Sequence, residues 1–468
     1  MPSSPTPLRS SSSISTSSSW PSASTQTSIH EQTPPIIRVA IVGGGLGGLT
    51  LAQILHCAPN VQVTVYERSI DEIERLSGYR VMLSSFVLKK LQATLHKDVW
   101  DRVAASIGVQ PQCGQELTFF KSDGRKMLAF EADEIRDTYS VNRWLLRNAL
   151  LYGSHDFAIF GKTFQAYENL PNGGMMVHFN DGSRVECDLL VGADGIGSRV
   201  RKQLVPDARI TEPWLAIIYF KIPLTPVTEN LLLTQSMTRA FCHRNQNIFI
   251  HSWTNPRKHW ATLYDEYDIG MDESFIMFGY GSPCDEFSNK SKPPGELSSE
   301  ELKVECLERV RADPKMHPSF IALAEQLIIN TAHIHIVRDC KAIKRWNSGS
   351  VTLIGDSVFS ISTVLGKGAN CAMLDAIDLA EALQLPQIFN PSIRSHELQQ
   401  AGARNVKRRL KERQRGALIQ NIIYSGNNKM KELCRDLGLK LAFEWIDDPR
   451  ATNFHSGKKR CPEKVERS

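Results

Sequence analysis

The residues best suited to chemistry are glycines and acids that follow three apolar runs of the chain. Gly43, Gly45 and Gly48 form the pattern GxGxxG directly after the first, β-branched run. Backbone without Cβ atoms lets a pyrophosphate approach closely, and the N-terminus of a following helix favours its negative charge. Glu67 ends the next apolar run, where a carboxylate can accept the ribose hydroxyls of an adenosine. This spacing predicts a dinucleotide-binding strand–turn–helix–strand, with a chance glycine-rich turn as the alternative.

Two later apolar runs also end in glycine and aspartate. Asp194 and Gly195 follow the second run, and Asp356 follows the third. Residues 366–370 are again rich in glycine and precede a segment with helical apolar spacing, Cys371 to Leu383. Taken singly, an aspartate at the end of a strand is more often a turn or helix cap than a ligand. Each turn is therefore ambiguous when it is considered alone.

Taken together and in this order, the three segments resemble those of the class A FAD-dependent aromatic monooxygenases, the para-hydroxybenzoate hydroxylase-like flavoproteins. The Ser-rich N-terminus and the segment around Arg80 look similar to fungal secondary-metabolism members. The resemblance covers about residues 36–425 and implies an α/β fold. In that fold a Rossmann-like GR2-type FAD-binding domain carries an inserted mainly β substrate domain and a C-terminal helical tail. It also implies FAD as cofactor and NAD(P)H as a transient co-substrate.

The resemblance assigns roles to individual residues. Arg143 matches the arginine of a helix close to FAD, and Arg80 falls in a loop near the isoalloxazine edge. Arg80, the one catalytic candidate, could orient an anionic substrate or could be a salt-bridged surface residue. The predicted cofactor-binding residues are Gly43, Gly45, Gly48, Glu67, Arg143, Asp194, Gly195, Asp356, Gly366, Gly368, Ala369 and Asn370.

Two positions depart from the pattern of the family. Phe359 stands at the usual histidine position after the Gly-Asp pair, and Thr363 stands at the usual proline position. Because Thr363 lacks the proline ring, we expect a looser loop beside the flavin. Lys367 lies between the two glycines of the third segment, where it could favour the reduced flavin anion or simply lie in solvent.

The function implied by the resemblance is hydroxylation or epoxidation of an aromatic or polyketide-like small molecule. NAD(P)H and O2 would be consumed through a C4a-hydroperoxyflavin. A non-hydroxylating flavin oxidoreductase and a flavin-binding protein that has lost turnover are the alternatives.

The elements that must position these residues divide the 468-residue chain into five parts. Low hydrophobicity and serine runs predict that the first part is disordered. In the second part, residues 79–139 are expected to contribute to the substrate pocket. The five parts are a leader (1–33), the first FAD-binding part (34–208), a substrate-binding β domain (209–333), the second FAD-binding part (334–390) and a helical tail (391–468).

Several segments carry further predictions. Strands are expected at Leu215 to Ile222, Asn247 to Trp253 and His259 to Tyr267. His333 and His335 alternate with isoleucines and lack an acidic or thiol neighbour, which favours a solvated strand face over a metal site. Arg404 to Gly416 holds seven basic residues and one acid, and a solvated helix face is expected rather than a nucleic-acid or targeting patch.

Charge, hydropathy and cysteine content exclude several other classes of protein. With 55 basic and 50 acidic residues, the net charge of +5 is too small to imply a nucleic-acid partner. No apolar run is long and uninterrupted enough to predict a transmembrane segment. Ten cysteines without a CxxC pair predict reduced thiols in an intracellular enzyme. A cytoplasmic location is expected, because the leader lacks the arginines of a mitochondrial presequence.

Overall fold

A computed structural model of the chain describes residues 36–70, 79–111, 114–130, 136–171, 173–242, 245–258, 262, 273–338, 340, 343, 346, 349–425 and 429–447. The predicted leader and most of the predicted strand His259 to Tyr267 lie outside these ranges. The strands within them are β1 (Ile37–Val42), β2 (Val61–Tyr66), β3 (Arg80–Ser84), β4 (Leu117–Lys121), β5 (Lys126–Phe130), β6 (Thr138–Asn142), β7 (Ala158–Ile159), β8 (Phe164–Asn169), β9 (Met175–Phe179), β10 (Arg184–Cys187), β11 (Leu189–Gly192), β12 (Leu215–Pro223), β13 (Met237–Phe241), β14 (Asn247–Trp253), β15 (Phe275–Pro283), β16 (His333–Val337) and β17 (Val351–Leu353).

Helices alternate with strands in the first third of the chain and dominate its last third. The α-helices of the described ranges are α1 (Leu46–His56), α2 (Ser85–Thr94), α3 (Lys97–Ala105), α4 (Arg143–Leu150), α5 (Arg199–Leu204), α6 (Pro226–Glu229), α7 (Ser299–Ala312), α8 (Pro318–Glu325), α9 (Gly368–Leu383), α10 (Pro391–Ile423) and α11 (Lys429–Asp447). The predicted helix Cys371 to Leu383 is confirmed, and it begins three residues earlier, at Gly368.

A parallel sheet with the order β17-β11-β1-β2-β7 holds the three glycine-rich segments. The predicted strand–turn–helix–strand is confirmed as β1, α1 and β2. The two strands pair in parallel, from Ile37 opposite Val61 to Val42 opposite Tyr66. The central strand β1 also pairs with β11, which in turn pairs with β17. The three Gly/Asp turns therefore meet at one edge of the sheet, where the strands end. Open α/β sheets bind ligands at this edge.

A mainly antiparallel sheet has the order β16-β12-β15-β14-β13-β4-β5. The predicted strands Leu215 to Ile222 and Asn247 to Trp253 are confirmed as β12 and β14. Side chains alternate between the two faces of a strand, so Ile218 and Phe220 point to one face and Tyr219 to the other. The first face forms an apolar core with α7 and α8. The second face, which carries Tyr219, is not part of this core.

Two smaller sheets complete the strands. The order β10-β9-β8 forms an antiparallel three-stranded sheet, and β3 pairs with β6. In the second pair Arg80 lies opposite Asn142. Asn142 caps α4, because its side chain accepts hydrogen bonds from the backbone of Trp144 and Leu145. The pair thus places Arg80 next to the start of α4.

Within the described residues 391–425 and 429–447, the predicted tail is helical and packs into the core. Ile419, Ile423 and Leu439 are buried against the antiparallel sheet. The expected solvated face of the basic run is wrong for Arg409 and Arg415, which are 0% and 6% exposed. Charged side chains in this run are buried because α10 packs along α9, whose acidic side chains pair with them.

Other properties concern the described residues only. Their cysteines are free thiols, of which Cys57 and Cys434 are exposed. No described helix has the length and apolar character needed to cross a membrane. Within the described ranges, no cluster of three or more His, Cys, Asp or Glu side chains could hold a metal ion.

Candidate functional site

A cavity of about 910 Å³ opens at the edge of the parallel sheet and extends to the free face of the antiparallel sheet. All twelve predicted cofactor-binding residues line it, together with Arg80. Apart from Arg80 and Arg143, these residues lie in three segments, 43–67, 194–195 and 356–370, which the parallel pairing of β1, β11 and β17 brings together.

The first glycine segment shows why each glycine is there. Gly43 has φ +112°, and a Cβ atom on it would lie 2.4 Å from the carbonyl oxygen of Ala193. A Cβ on Gly48 would lie 2.1 Å from the carbonyl oxygen of Gly43. Both positions are closed to side chains by the protein itself. Around Gly45, in contrast, a Cβ would meet nothing within 4 Å. That open space above the N-terminus of α1 is the space that a phosphate group needs.

The carboxylate of Glu67 lies beside this turn. One of its oxygens accepts a hydrogen bond from the backbone N–H of Gly44 at 2.6 Å. The other accepts from the backbone N–H and the hydroxyl of Ser69 at 3.0 and 3.1 Å. The carboxylate is thus held in one orientation at the cavity wall, with part of its accepting capacity used by the protein.

Asp194 performs the capping role that its position at a strand end suggests. One oxygen, Oδ2, accepts a hydrogen bond from the backbone N–H of Arg199, at 2.7 Å, at the start of α5. The other oxygen, Oδ1, is buried and has no hydrogen-bond partner among the described residues. Burial raises the pKa of this carboxyl. Asp194 therefore caps a helix and also lines the cavity.

Asp356 is held by a buried ionic network. Its Oδ1 accepts hydrogen bonds from both terminal nitrogens of Arg409 at 3.2 Å. Nε of Arg409 donates at 2.9 Å to Asp375, which also accepts from the backbone N–H of Gly355 at 3.1 Å. Burial opposes the charge of Arg409, but Asp375 and Asp356 outweigh this effect and raise its pKa. Two fully buried charged side chains, those of Arg409 and Asp375, thus hold the Gly-Asp turn in place.

Asn370 ties the third glycine segment to β3. Its Oδ1 accepts from the backbone N–H of Ser84 at 2.8 Å, and its Nδ2 donates to the carbonyl oxygen of Met82 at 2.8 Å. The first backbone N–H groups of a helix have no partner within the helix. Because α9 starts at Gly368 on the cavity wall, these donors face the cavity there.

The two positions that depart from the family pattern have different surroundings. Phe359 is fully buried in a core cluster, and its carbonyl oxygen accepts a hydrogen bond from Arg409. Thr363 lines the cavity in a short 3-10 turn. The preceding Ser362 donates a hydrogen bond to Gln420 of α10 at 2.6 Å. The loop that we expected to be loose is therefore anchored to the long helix.

The far end of the cavity is the free face of the antiparallel sheet. Cross-strand neighbours form a row across it, in the order Arg239, Phe249, Gly279, Tyr219 and His333. The next row along the strands contains Asn247, Gly281 and His335 in the same way. Each row has a glycine in β15, and a tyrosine ring occupies the space above it.

One of the two alternatives left open for Arg80 is wrong, and so is the solvated strand face expected for His333 and His335. Arg80 is not a salt-bridged surface residue: it is 5% exposed, and no described carboxylate pairs with it. His333 and His335 are half-buried instead of lying on a solvated face. His333 packs against the ring of Tyr79, with 5.5 Å between ring centroids, and His335 lines the cavity. The sheet turns this face inward, which the local alternation of the sequence does not reveal.

Comparisons with known proteins agree with this geometry. The chain is 26% identical over 374 residues to the dual O-methyltransferase/FAD-dependent monooxygenase elcB of Phaeosphaeria nodorum, covering 74% of this chain and 40% of that protein. It is 25% identical over 357 residues to the FAD-dependent monooxygenase thnD of Trichoderma harzianum, covering 74% of this chain and 83% of that one. The chain thus spans less than half of the first of these relatives. No family model matches it.

Solved structures show the same fold. A protein of Photorhabdus luminescens described as an FAD-containing monooxygenase superposes with a TM-score of 0.66 at 26% identity, covering 82% of this chain and 98% of that one. HpxO of Klebsiella pneumoniae, solved with FAD and uric acid, gives 0.67 at 19% identity, covering 89% and 96%. These relatives are FAD-dependent monooxygenases. The mixed α/β fold with parallel strands is the fold of this group of flavoproteins.

Sequence reasoning missed the residues that hold the motifs in place. Arg409 and Asp375 fix the Gly-Asp turn, and Nε of Arg147 donates to the carbonyl oxygen of Gly44 at 3.3 Å. Asp375 did leave a signal, because it is an acid on the otherwise apolar buried face of α9. The basic residues of α10 gave the complementary signal, a run of positive charges. Arg239 left none, since a single arginine in a strand is ordinary.

Proposed function

We propose that the chain is an FAD-dependent monooxygenase that uses NAD(P)H and O2 to hydroxylate or epoxidise an aromatic or polyketide-like small molecule. The observation that carries the proposal is that all twelve predicted FAD contacts line one cavity. The sequence relatives and the shared fold support it.

The residues present fit an FAD molecule. The space at Gly45 is free of protein atoms, and so is the space at Gly368, where a Cβ would also meet nothing within 4 Å. Gly45 and the N-terminus of α1 would bind the pyrophosphate, and the carboxylate of Glu67 would accept the adenosine ribose hydroxyls. The turn at Asp356 and the N-terminus of α9 would contact the ribityl chain and the ring system. Bound FAD would supply the redox chemistry between NAD(P)H and O2.

The protein's own part is to bind, orient and exclude water. The Asn370 clamp holds the N-terminus of α9, so its N–H groups are oriented before any ligand arrives. Donors fixed in this way stabilise negative charge without reorganisation. At the far end Tyr219, Phe249 and Met277 line the cavity. Their side chains would exclude water from the substrate side.

We also propose the domain division that the motifs imply. Residues 34–208 and 334–390 would form a GR2-type FAD-binding domain, and 209–333 the substrate domain, with 79–139 lining the pocket. The tail 391–468 would contribute Arg409 to the FAD side. A cytoplasmic location remains a prediction based on the cysteine pattern and the leader.

The experiment that tests the function uses the purified full-length chain. We expect bound flavin absorbance, and NAD(P)H oxidation coupled to oxygen uptake that an accepted substrate stimulates. A protein that takes up no FAD when the cofactor is added would overturn the proposal. Bound FAD with no oxygen consumption for any member of an aromatic substrate panel would support the alternative of lost turnover.

A variant links the test to the site. Asp356→Ala should lower FAD retention after gel filtration, because the carboxylate faces the cavity. The control is Asp378→Ala, which removes an acid that pairs with Arg408 outside the cavity wall. Equal flavin content in the two variants would contradict the role proposed for Asp356.

A further inference from the structure

One face of α11 carries a row of exposed apolar side chains, which we call the α11 stripe. It consists of Met430, Leu433, Leu437 and Leu441, which are between 56% and 71% exposed. Residues three or four positions apart lie on the same face of a helix, so these four side chains are contiguous. No other helix or strand of the described ranges has more than one large apolar side chain that is exposed. A contiguous apolar surface indicates an interaction site, whereas single exposed apolar residues do not.

The opposite face of α11 attaches the helix to the protein. Leu439 is buried in the core cluster of the antiparallel sheet. The guanidinium carbon of Arg435 lies 4.0 Å from the ring centroid of Phe241 in β13. Asp436 forms an ion pair with Lys121 at the end of β4. The helix is therefore held by its inner face, and the α11 stripe lies on a fixed support.

The charged side chains of α11 are distributed unevenly around the helix. Lys431 and Lys440 are exposed. A rotation of about 100° per residue places them on opposite sides of the α11 stripe. Glu432 and Asp436 are only partly exposed, and they lie seven and three positions before the buried Leu439, on its face of the helix. Among the α11 side chains that the structure describes, the outer half is thus apolar and basic, while the acids lie toward the protein.

The sequence that follows α11 adds further positive charge. Residues 448–468 contain six basic and three acidic residues, and the three at 458–460 are consecutive basic residues. Basic residues next to an interfacial helix attract it to the anionic lipids of a membrane surface. The chain therefore offers positive charge on both sides of the α11 stripe and beyond its C-terminal end.

We propose that the outer face of α11 docks on an anionic lipid surface. The α11 stripe would insert at the boundary of headgroups and acyl chains, with Lys431 and Lys440 at the level of the phosphates. Interfacial helices combine an apolar face with basic residues in this way. A second copy of the chain fits less well, because a symmetric interface would bring two lysine-flanked surfaces together. The α11 stripe does not line the cavity, so the proposal is independent of the proposed function.

The test measures binding of the purified full-length chain to lipid vesicles by co-sedimentation. One set of vesicles contains phosphatidylcholine alone, and the other contains about one third phosphatidylserine. We expect the anionic vesicles to bind the protein about tenfold or more tightly than the neutral ones. Raising the salt concentration from about 0.1 M to about 1 M should reduce this ratio to less than about threefold, because salt screens the charges.

A first variant assigns the binding to the α11 stripe. Leu433→Gln combined with Leu437→Gln should weaken binding to the anionic vesicles about tenfold or more, since two side chains can no longer insert. The matched control is Val227→Gln combined with Val304→Gln, which replaces one exposed apolar side chain on each of α6 and α7. It should change binding by less than about twofold. Unfolding curves establish that both proteins are folded.

A second variant assigns the charge preference. Lys431→Gln combined with Lys440→Gln should weaken binding to the anionic vesicles about tenfold, and binding to the neutral vesicles by less than about twofold. The control is Lys89→Gln combined with Lys202→Gln, which removes two exposed lysines of α2 and α5. It should leave both affinities unchanged.

Three results would overturn the proposal. One is equal binding, or none, of the unaltered protein to anionic and neutral vesicles, a measurement that needs no variant. Another is equal binding by the leucine variant and its control, which would place the affinity in residues 448–468 instead. The third is a dimer in sedimentation equilibrium that the leucine variant converts to a monomer, because a second copy then covers the α11 stripe. The proposed function fails separately, through absence of FAD uptake or of oxygen consumption.

Discussion

The two ends of the cavity treat buried polar groups in opposite ways. At the parallel sheet, Glu67 accepts from Gly44 and Ser69, and Asp356 is held by Arg409. At the antiparallel sheet, Arg80 and Arg239 keep nitrogen atoms without partners in the described structure. The protein itself supplies partners for these two carboxylates at the first end, where Oδ1 of Asp194 is an exception, and it supplies none for those guanidinium nitrogens at the second.

This difference shows which kind of binding site leaves a recognisable motif in the sequence. A phosphate group that is bound by the backbone of one turn requires glycines at fixed positions in that turn, so its contacts leave a pattern in the sequence. A substrate that varies is met by single side chains on strands, whose neighbours are set by pairing rather than by sequence distance. Four predictions test the contrast.

The largest effect is expected in the buried ionic network of the parallel end, where Arg409 pairs with Asp375 and Asp356. Arg409→Met leaves Asp375 fully buried without its main partner, and we expect a loss of about 3–5 kcal/mol in the free energy of unfolding. Urea denaturation followed by circular dichroism measures it. The control Arg311→Met removes an exposed pair with Glu325 and should lose less than about 1 kcal/mol. Equal losses would show that the buried network does not stabilise the parallel end.

The next effect separates glycines required by the fold from one required by the ligand. Gly43→Ala should lose about 2–4 kcal/mol of unfolding free energy, because of its positive φ and the contact with Ala193. Gly45→Ala should stay within about 1 kcal/mol and yet weaken FAD binding about tenfold or more. Apoprotein unfolding and flavin titration measure the two quantities. A Gly45→Ala protein with normal FAD affinity would remove the phosphate role of that position.

The third effect concerns the row of glycines in the antiparallel sheet. A Cβ on Gly281 would lie 2.0 Å from the hydroxyl oxygen of Tyr424. Gly281→Ala should therefore lose about 1–3 kcal/mol of unfolding free energy, and adding Tyr424→Phe should recover about 1 kcal/mol. Gly279→Ala, whose Cβ would lie 3.1 Å from the Tyr219 ring, should lose less. Strict additivity in the double variant would contradict the packing argument.

The smallest effect is a pH dependence at the same end. Burial, reinforced by the charges of His335 and Arg143, lowers the pKa of His333 to about 4. Between this pKa and the usual value the unfolded chain binds more protons, so stability falls as pH decreases. Between pH 6.5 and 5, His333→Gln should reduce this fall by about 1–2 kcal/mol. Parallel stability curves for the two proteins would show that His333 is not desolvated.

The sequence predicted the site best where the presence of a residue type has a single physical explanation, as glycine has in a tight turn. Gly43 and Gly48 are required by backbone contacts that any nucleotide-binding turn of this kind makes, so the dinucleotide-binding turn could be predicted from them, whereas FAD was implied by the family resemblance of all three segments. The antiparallel end could not, because Arg80 and Arg239 meet only through the packing of two separate sheets. The same holds for Arg409, which reaches Asp356 from 53 positions later in the chain.

That long reach affects how the protein is made. The turn after β17 is secured by a side chain of α10, and Gln420 of the same helix anchors the loop at Ser362. During synthesis, the Gly-Asp turn after β17 therefore lacks these supports until α10 has left the ribosome. Truncation before residue 409 should therefore yield a chain that retains less flavin than the full chain.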